Sequence, residues 1–318
     1  MLILNNKQVN DLIDSEAMLK AIEEAVIVFE SKDYVLPDRL HLQMGETTHL
    51  QMPVVNQKYF LNKNISISGT DSGRVATNGN IMLSSATDGK LLVLMNSETL
   101  TLHRTGALCA LAAKNICPET KPKVGIIGAG NIGKHCAKYL SKVFNIECIH
   151  VFDSYDGQFE LFRSFLAEEN INIPLIKSDD CNDLLFESDL IIMATNSLEP
   201  VLPENKLLLY GKTFIGLGAY KLNMKEIPTE LFRNLNYCFT DTKLAIRESG
   251  DIAEPVANSI FHIDNILTLG KLLLNPTAYD LGATRLFKGV GHALLDLYAA
   301  QYVYNRAIEN NVGIERAL

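Results

Sequence analysis

Three glycines spaced as G-x-G-x-x-G follow a short apolar run in the segment KVGIIGAGNIGKHCAKYL, residues 123–140. The run has the composition of a buried parallel strand, and apolar positions recur at helical spacing after the glycines. Gly128 then allows a tight turn, Gly130 lets backbone amides approach a pyrophosphate, and Gly133 lets the helix pack closely on the sheet. The helix N-terminus would present free N–H groups to the phosphates. The predicted cofactor-binding residues of this loop are Gly128, Gly130, Asn131, Ile132 and Gly133.

A carboxylate ends the next predicted strand, IECIHVFD, where Asp153 lies twenty residues beyond Gly133. At that place a carboxylate accepts hydrogen bonds from the ribose hydroxyls of NAD and repels the 2′-phosphate of NADP. The following residues, DSYDGQ, contain no cation that would attract this phosphate. The alternative is an ordinary α/β corner with a surface Asp. The spacing favours a dinucleotide site and predicts NAD rather than NADP.

Composition and length exclude several classes of protein. A chain of 318 residues is long enough for two domains, and its net charge of −8 argues against a nucleic-acid partner. The N-terminus lacks the features of a secretory signal, and no apolar run approaches the ~20 residues that span a bilayer. Cysteines and histidines are dispersed without metal-ligand spacing. We therefore expect a cytoplasmic protein with no membrane partner and no bound metal.

Periodicity along the chain predicts two kinds of architecture. Residues 8–31 have helical spacing with Asp14 or Ser15 as an internal cap, strand-like runs with a turn at TDGK indicate an antiparallel sheet, and residues 101–116 form a helix. From 123 to about 282 strands alternate with helices, and from Thr284 the sequence becomes helical again. The predicted fold is α/β, a Rossmann-type doubly wound parallel sheet plus an α+β domain.

An ordered set of motifs covers nearly the whole chain: PDRLHL, LNKNISIS, TDGKLLVLMNSETLTLHRTGALCALAAK, GIIGAGNIG, IIMATNS, ESGDI and LFKGVGHALLDLYAA. In this order they resemble the ornithine cyclodeaminase/mu-crystallin family. The resemblance implies a nicotinamide cofactor that exchanges hydride with the α carbon of an amino or imino acid. It also implies a substrate-binding and dimerisation domain at 1–117, joined by a C-terminal helix at about 296–318, and an NAD-binding domain at 118–295.

Three cations match the substrate pocket of that family: Arg39, Lys63 and Arg104. An Arg fork can hold both oxygens of an α-carboxylate, and a Lys of lowered pKa can exchange a proton with the substrate nitrogen. The resemblance thus implies that all three bind substrate and that Lys63 and Arg104 are catalytic. The alternative is that they are solvated surface cations. Against it, Arg104 starts an apolar helix, and alternation places Lys63 on the face of Ile65 and Ile67.

One departure from the family pattern bears on the direction of the reaction. Cyclodeaminases carry an Asp base shortly after the strand that reads here as TFIGLG, but this chain continues AYKLNMKEIP, with Tyr220 and Lys221 as the nearest titratable groups. Oxidation of an ammonium needs a base, whereas reduction of a protonated imine does not. The stretch is similar to imine-reductase-like members. The residues that could supply a carboxylate from elsewhere are Asp71, Glu248 and Asp251.

Four further residues are predicted to lie near the nicotinamide half of a cofactor. Thr195, Asn196 and Ser197 follow a predicted strand, although they could equally cap the turn before Pro200. Lys288 lies in a glycine-rich stretch, LFKGVG, that could approach the nicotinamide. His292, with an Asp four residues later, is interpreted as structural.

The leading hypothesis is an NAD-dependent enzyme that reduces a small α-imino acid, such as a cyclic imine carboxylate. One alternative is a cyclodeaminase, which shows no net redox change. Another is a binding protein for a nicotinamide cofactor and a ligand, as in the mu-crystallin branch. The resemblance also implies a homodimer that pairs through the strands of the first domain.

Overall fold

The computed structural model describes residues 1–69 and 75–317, which divide into two compact units. The first unit contains residues 1–104 and 292–318, and the second contains residues 105–291. We predicted the boundary after residue 117, at the end of a helix; the observed boundary falls inside that helix, which runs without a break from Ser97 to Ile116. No helix in the described ranges is long and apolar enough to cross a membrane.

Strands of two sheets make up the framework of the molecule. They are β1 (Leu2–Leu4), β2 (Tyr34–Val35), β3 (Leu40–Met44), β4 (Thr47–Asn56), β5 (Tyr59–Gly69), β6 (Val75–Ser85), β7 (Leu91–Asn96), β8 (Lys123–Ile127), β9 (Cys148–Phe152), β10 (Leu175–Lys177), β11 (Leu190–Met193), β12 (Thr213–Gly216), β13 (Leu235–Thr240), β14 (Ile266–Thr268), β15 (Thr284–Lys288) and β16 (Ile314–Glu315).

Helices connect and cover these strands. They are α1 (Asn6–Leu12), α2 (Ser15–Ser31), α3 (Ser97–Ile116), α4 (Asn131–Val143), α5 (Gln158–Glu168), α6 (Cys181–Glu187), α7 (Lys206–Leu209), α8 (Thr229–Phe232), α9 (Ala245–Glu248), α10 (Gly250–Ala257), α11 (Leu269–Leu274) and α12 (Ala293–Glu309), with a 3₁₀ turn at Ile263–Asn265.

The first unit is a mixed sheet packed against helices. The strand order is β16-β1-β7-β6-β5-β4-β2, and β3 also pairs with β4. Strands β4 to β7 are antiparallel neighbours, which confirms the predicted antiparallel sheet, whereas β1 adds to β7 in parallel. Helices α2 and α12 pack together and α12 lies against β4, β5 and β6.

Helix α2 forms where the capping residue predicted it. The Asp14 side chain accepts a hydrogen bond of 2.9 Å from the Ala17 amide, so it caps the first turn. Its buried residues, among them Met18, Ile22 and Ala25, recur at spacings of three and four and form one apolar stripe. This stripe supplies part of the core of the first unit.

The second unit confirms the predicted doubly wound sheet. Its strands are parallel in the order β10-β9-β8-β11-β12-β15-β13-β14. The chain order reverses between β8 and β11, which is the switch point where α/β folds bind ligands beyond the carboxyl ends of the strands. The glycine loop follows β8, and the residues Thr195 to Ser197 follow β11.

The predicted helical region from Thr284 was wrong at its start. Residues Thr284–Lys288 form β15, which inserts between β12 and β13, and α12 begins only at Ala293. The alternation of this short segment was obscured because Leu286, Phe287 and Lys288 are all buried, as expected of a strand covered on both faces.

Candidate functional site

Lys63 occupies a core position of the first unit. It lies in the middle of β5, opposite Met52 of β4 and Ile81 of β6. Its neighbours on the same face, Leu61 and Ile65, are buried, and Lys63 itself is 0% exposed. Period-two alternation therefore places the ammonium inside the unit, as the sequence predicted, and a buried ammonium requires partners.

The partner of Lys63 is an acidic residue of α12. Lys63 Nζ donates to Asp296 Oδ1 at 2.7 Å and to Thr101 Oγ1 at 2.8 Å, and the Thr101 hydroxyl donates onward to the Ser97 carbonyl. Arg104 Nε, one turn along α3, donates to the same Oδ1 at 3.2 Å. Lys63 and Arg104 thus meet at one carboxylate oxygen.

Burial and charge set the protonation of this cluster. Burial lowers the pKa of Lys63 to about 8, with Asp296 opposing this effect and Arg104 and Arg39 adding to it. Burial raises the pKa of Asp296, but Lys63 and Arg104 outweigh it and hold that pKa below its usual range. The half-buried Arg39 is therefore close enough to interact with Lys63.

The predicted cations Arg39, Lys63 and Arg104 are brought together in this way. Within residues 1–69 and 75–317, Lys63 and Arg104 share the carboxylate of Asp296, and a ligand carboxylate would neutralise the excess positive charge of this group. Arg104 keeps 7% of its surface exposed. The arrangement can bind an anion, and a lysine whose pKa is about 8 can exchange a proton near neutral pH.

In the second unit, the glycine loop has the geometry that an anion site needs. Gly128 has φ +97°, and a side chain at Gly133 would come within 2.2 Å of the Gly128 carbonyl oxygen, so α4 packs directly on the turn. A Cβ at Gly130, by contrast, would meet nothing within 4 Å. Gly130 is the N-cap of α4 and gives it no side-chain hydrogen bond. The open space beside the first-turn amides suits the pyrophosphate of a dinucleotide.

Asp153 lies at this loop, although it makes local contacts. Its Oδ2 accepts a hydrogen bond of 2.7 Å from the Ala129 amide and its Oδ1 one of 2.9 Å from the Tyr155 amide. The side chain is half-buried. A carboxylate oxygen can accept more than one hydrogen bond, so these contacts orient Asp153 and leave acceptor capacity for ribose hydroxyls. Asn131 is exposed and Ile132 half-buried at the start of α4.

Glu226, which sequence reasoning did not select, ties two strand ends together. Its Oε1 accepts from the Thr195 amide and hydroxyl at 2.7 and 2.9 Å, and its Oε2 accepts from the amides of Gly218 and Ala219 at 2.7 and 3.1 Å. The side chain is fully buried. These four bonds fix the loops that follow β11 and β12.

Lys288 belongs to the same network and not to an exposed loop. Its Nζ lies 2.9 Å from Asp251 Oδ2 and 3.5 Å from Glu226 Oε2, and all three side chains are buried. Burial lowers the pKa of Lys288, but the two carboxylates outweigh it and raise that pKa above its usual value. The ammonium is enclosed between two carboxylates, and its contact with a cofactor stays a prediction.

The other predicted nicotinamide residues are engaged in turns. Ser197 Oγ donates to the Glu199 carbonyl at 2.6 Å and accepts from the Glu199 amide at 3.2 Å, so it closes the turn before Pro200. Asn196 is exposed. The contacts of Ser197 match the capping alternative, and the exposed amide of Asn196 remains accessible to a ligand.

A second acidic residue holds the stretch after β15. Asp241 accepts hydrogen bonds of 3.1 and 2.6 Å from the amides of Val290 and Gly291. Together, Glu226, Asp241 and Asp251 anchor the segments beyond β11, β12, β13 and β15. In the sequence these residues lie in the strings MKEIP, FTD and ESGDI, but residue types alone do not reveal which backbone amides a carboxylate meets.

The structure also bears on the missing family Asp. The Lys221 ammonium lies 5.7 Å from the centre of the Tyr220 ring, in the loop after β12. Of the substitutes considered, Asp71 lies outside the described residues, Glu248 is half-buried in α9, and Asp251 is enclosed beside Lys288. Asp296 lies four residues after His292, and residue type and spacing gave no reason to select it as a site residue. Across residues 1–69 and 75–317, no group of three or more His, Cys, Asp or Glu is arranged to hold a metal.

Comparisons with known proteins agree with these features. The family model for the ornithine cyclodeaminase/mu-crystallin family matches residues 1–311. A Delta(1)-pyrroline-2-carboxylate reductase of Bacillus cereus is 27% identical over 323 residues, which cover 98% of each chain.

Two solved structures have the same fold. One is a Delta(1)-pyrroline-2-carboxylate reductase of Thermococcus litoralis in complex with NADH and L-proline, with a TM-score of 0.92, 24% identity and coverage of 99% of this chain and 100% of that one. The other is an archaeal alanine dehydrogenase dimer with bound NAD, with a TM-score of 0.89, 21% identity and coverage of 100% and 99%.

Proposed function

Because this chain belongs to the ornithine cyclodeaminase/mu-crystallin family, we propose that it is an NAD-dependent reductase of a small α-imino acid, such as a cyclic imine carboxylate. The observation that carries the proposal is the buried cluster in which Lys63 and Arg104 share one carboxylate oxygen. The full-length similarity to pyrroline-2-carboxylate reductases supports it.

In this proposal the substrate carboxylate neutralises the positive charge of the cluster. Arg104 and Arg39 bind its oxygens, since a guanidinium can hold two oxygens in fixed geometry and thereby orient the α carbon. Asp296 contacts Arg104 through Nε, so this contact does not use the terminal guanidinium nitrogens, which in the proposal bind the carboxylate.

Lys63 is the proton donor of the proposed reaction. Reduction of a C=N bond places a hydride on carbon and a proton on nitrogen, and a bound nicotinamide dinucleotide supplies the hydride. An ammonium with a pKa of about 8 is mostly protonated at neutral pH and still gives up its proton readily. Tyr220 and Lys221 stand where the cyclodeaminases of the family carry an Asp base, and this supports reduction over oxidation of an ammonium.

The cofactor residues of the proposal are those of the second unit. The amides of Gly130, Asn131 and Ile132 would hold the pyrophosphate, and Asp153 would accept hydrogen bonds from the ribose and disfavour a 2′-phosphate. NADH is therefore the proposed reductant in preference to NADPH. Thr195 and Asn196, beyond β11, are the proposed contacts of the nicotinamide ribose.

We also propose a homodimer that forms through the first unit. Leu40, Leu42 and Met44 of β3 are all exposed, and they alternate along one face of that strand. An exposed apolar strand is an aggregation hazard unless a partner covers it. The dimeric alanine dehydrogenase of the same fold supports this assembly. Light scattering should report twice the chain mass at micromolar concentration; a stable monomer would contradict the proposal.

The reaction is tested by following NADH and NADPH at 340 nm with five- and six-membered cyclic imine carboxylates. We expect rapid oxidation of NADH, with slower reaction of NADPH. In parallel, ornithine and lysine are incubated with catalytic NAD, and proline, pipecolate and ammonia are measured. Robust release of ammonia from either amino acid, without imine reduction, would replace the proposal with cyclodeamination. Binding of NADH without turnover of any substrate would favour a binding protein.

A further inference from the structure

The carboxylate of Asp296 meets two cations through a single oxygen. Lys63 Nζ lies 2.7 Å and Arg104 Nε 3.2 Å from Oδ1, and the side chains of Lys63 and Asp296 have no exposed surface. The second oxygen, Oδ2, is buried and makes no hydrogen bond within residues 1–69 and 75–317. Sharing one oxygen brings the two cations side by side despite their mutual repulsion.

This arrangement is a poor way to stabilise a fold. Burying a carboxylate oxygen without a hydrogen bond is costly, and buried ion clusters can often be replaced by apolar side chains without loss of stability. Asp296 also has no exposed surface, and its carboxylate contacts the two cations Lys63 and Arg104. A role that acts through Lys63 and Arg104 accounts for both properties.

We propose that Asp296 is the positioning residue of this site, whose Oδ1 holds the Lys63 ammonium protonated and fixed beside Arg104. The inference rests on the proposed function, because a fixed, protonated Lys63 matters only if this lysine meets the substrate. In this inference a residue of α12 controls a reacting group on β5, through a hydrogen bond between residues 233 positions apart in the chain.

Among the described charged groups around Lys63, Asp296 is the one that favours the protonated form of this lysine. Arg104 of α3 and Arg39, in the segment before β3, both favour loss of the Lys63 proton, as does burial, whereas Asp296 of α12 favours its retention. His292, at the start of α12, interacts with Asp296 and stabilises its ionised form. Removing the Asp296 charge would leave burial, Arg104 and Arg39, each of which favours the neutral amine of Lys63.

The test is Asp296→Asn, read out in two ways. Titration of [ε-¹³C]lysine-labelled protein by NMR, with the Lys63 signal assigned by Lys63→Met, measures the protonation of Lys63 without any turnover. We expect its midpoint to fall by at least about 1 pH unit, because an opposite charge at this distance is worth ~1–3 units. For wild type, kcat/KM for imine reduction should decline as pH rises through about 8; in the variant, this decline should move to lower pH by the same amount.

The matched control is Asp11→Asn, which removes an exposed carboxylate of the same unit that pairs with Lys7. It should change neither the Lys63 titration nor the pH profile. An unchanged Lys63 midpoint in Asp296→Asn would overturn the inference. If wild type reduces no imine while the midpoint still shifts, the proposed function fails and the control of Lys63 by Asp296 stands.

A second variant covers the case in which Asp296→Asn does not fold. Asp296→Glu keeps the charge but displaces the oxygen by one methylene, so kcat/KM should fall about tenfold to a hundredfold through misplacement of the two cations. The Lys63 midpoint should remain closer to that of wild type than in the Asn variant. Full retention of kcat/KM in Asp296→Glu would overturn the positioning role.

Discussion

Among residues 1–69 and 75–317, each unit buries an ionic cluster, and the two clusters have opposite charge balance. The members are Lys63, Arg104 and Asp296 in the first unit and Glu226, Asp251 and Lys288 in the second. The first cluster has two cations for one carboxylate, whereas the second has two carboxylates for one cation. The pKa of Lys63 is lowered to about 8, mainly by burial, while the carboxylates around Lys288 overcome burial and raise its pKa.

The two clusters differ in which groups compensate their excess charge. In the second cluster the surplus negative charge is matched by backbone amides, since Glu226 accepts from Thr195, Gly218 and Ala219, and Asp251 accepts from the Glu226 and Ile227 amides. Amide donors cannot move away, so this cluster holds loops in place. In the first cluster the surplus charge is that of Arg104, which keeps 7% of its surface exposed and has donors besides the Nε bonded to Asp296; the proposed function assigns these donors to the substrate carboxylate.

Removing the single cation of the second cluster should have the largest effect. Lys288→Met leaves two carboxylates buried without a counter-ion, and we expect a loss of about 3–5 kcal/mol in the free energy of unfolding. Urea denaturation measures it. Lys121→Met, which breaks an exposed pair with Glu147, is the control and should cost at most about 1 kcal/mol. Equal losses of unfolding free energy in the two variants would show that the second cluster does not stabilise the fold.

Arg104→Ala should break the first cluster in a different way. It leaves a balanced Lys63–Asp296 pair, so we expect little loss of stability but a fall of about 100-fold in kcat/KM, because the substrate carboxylate loses its fork. KM should rise and kcat should fall together. Steady-state kinetics with a cyclic imine carboxylate measure both, with Arg306→Ala as an exposed control in the same unit. Wild-type kinetics in Arg104→Ala would show that the carboxylate binds elsewhere.

Glu226→Gln tests whether the second cluster holds the loops after β11 and β12 in place. The amide nitrogen of Gln would face backbone N–H donors, so at least one hydrogen bond to a charged acceptor is lost, at a cost of about 2 kcal/mol. The loops after β11 and β12 should loosen and NADH should bind more weakly by calorimetry. Glu254→Gln, at a partly exposed pair with Lys225, is the control. Unchanged stability and NADH affinity would mean that these loops are held by other contacts.

Asp153→Ser should have the smallest effect. Because the carboxylate repels a 2′-phosphate, its removal should narrow the preference for NADH over NADPH by about tenfold. Calorimetric titration of both cofactors measures the ratio, and the imine KM should stay unchanged since Asp153 belongs to neither cluster. If wild type bound NADPH as tightly as NADH, this would contradict the premise that the Asp153 carboxylate repels the 2′-phosphate.

Local spacing accounts for what could be predicted from the sequence. The glycine loop, the alternation of strands and helices, the Asp14 cap and the inward direction of Lys63 each depend on residues a few positions apart, where backbone geometry restricts the outcome. The error at Thr284 has the same origin. A strand buried on both faces loses its period of two, and neighbouring apolar residues then resemble the helix that follows.

Tertiary structure decided what each buried charge does. The sequence determined that Lys63, Arg104, Asp296, Glu226 and Lys288 exist and, for some, which way they point from their own strand or helix. It did not determine that Asp296 meets Arg104 across 192 positions of chain, or that Lys288 lies between the carboxylates of Glu226 and Asp251. Ion pairs act over a few ångströms in a low-dielectric interior, so partners are chosen by the packing of distant elements and not by the residue types alone.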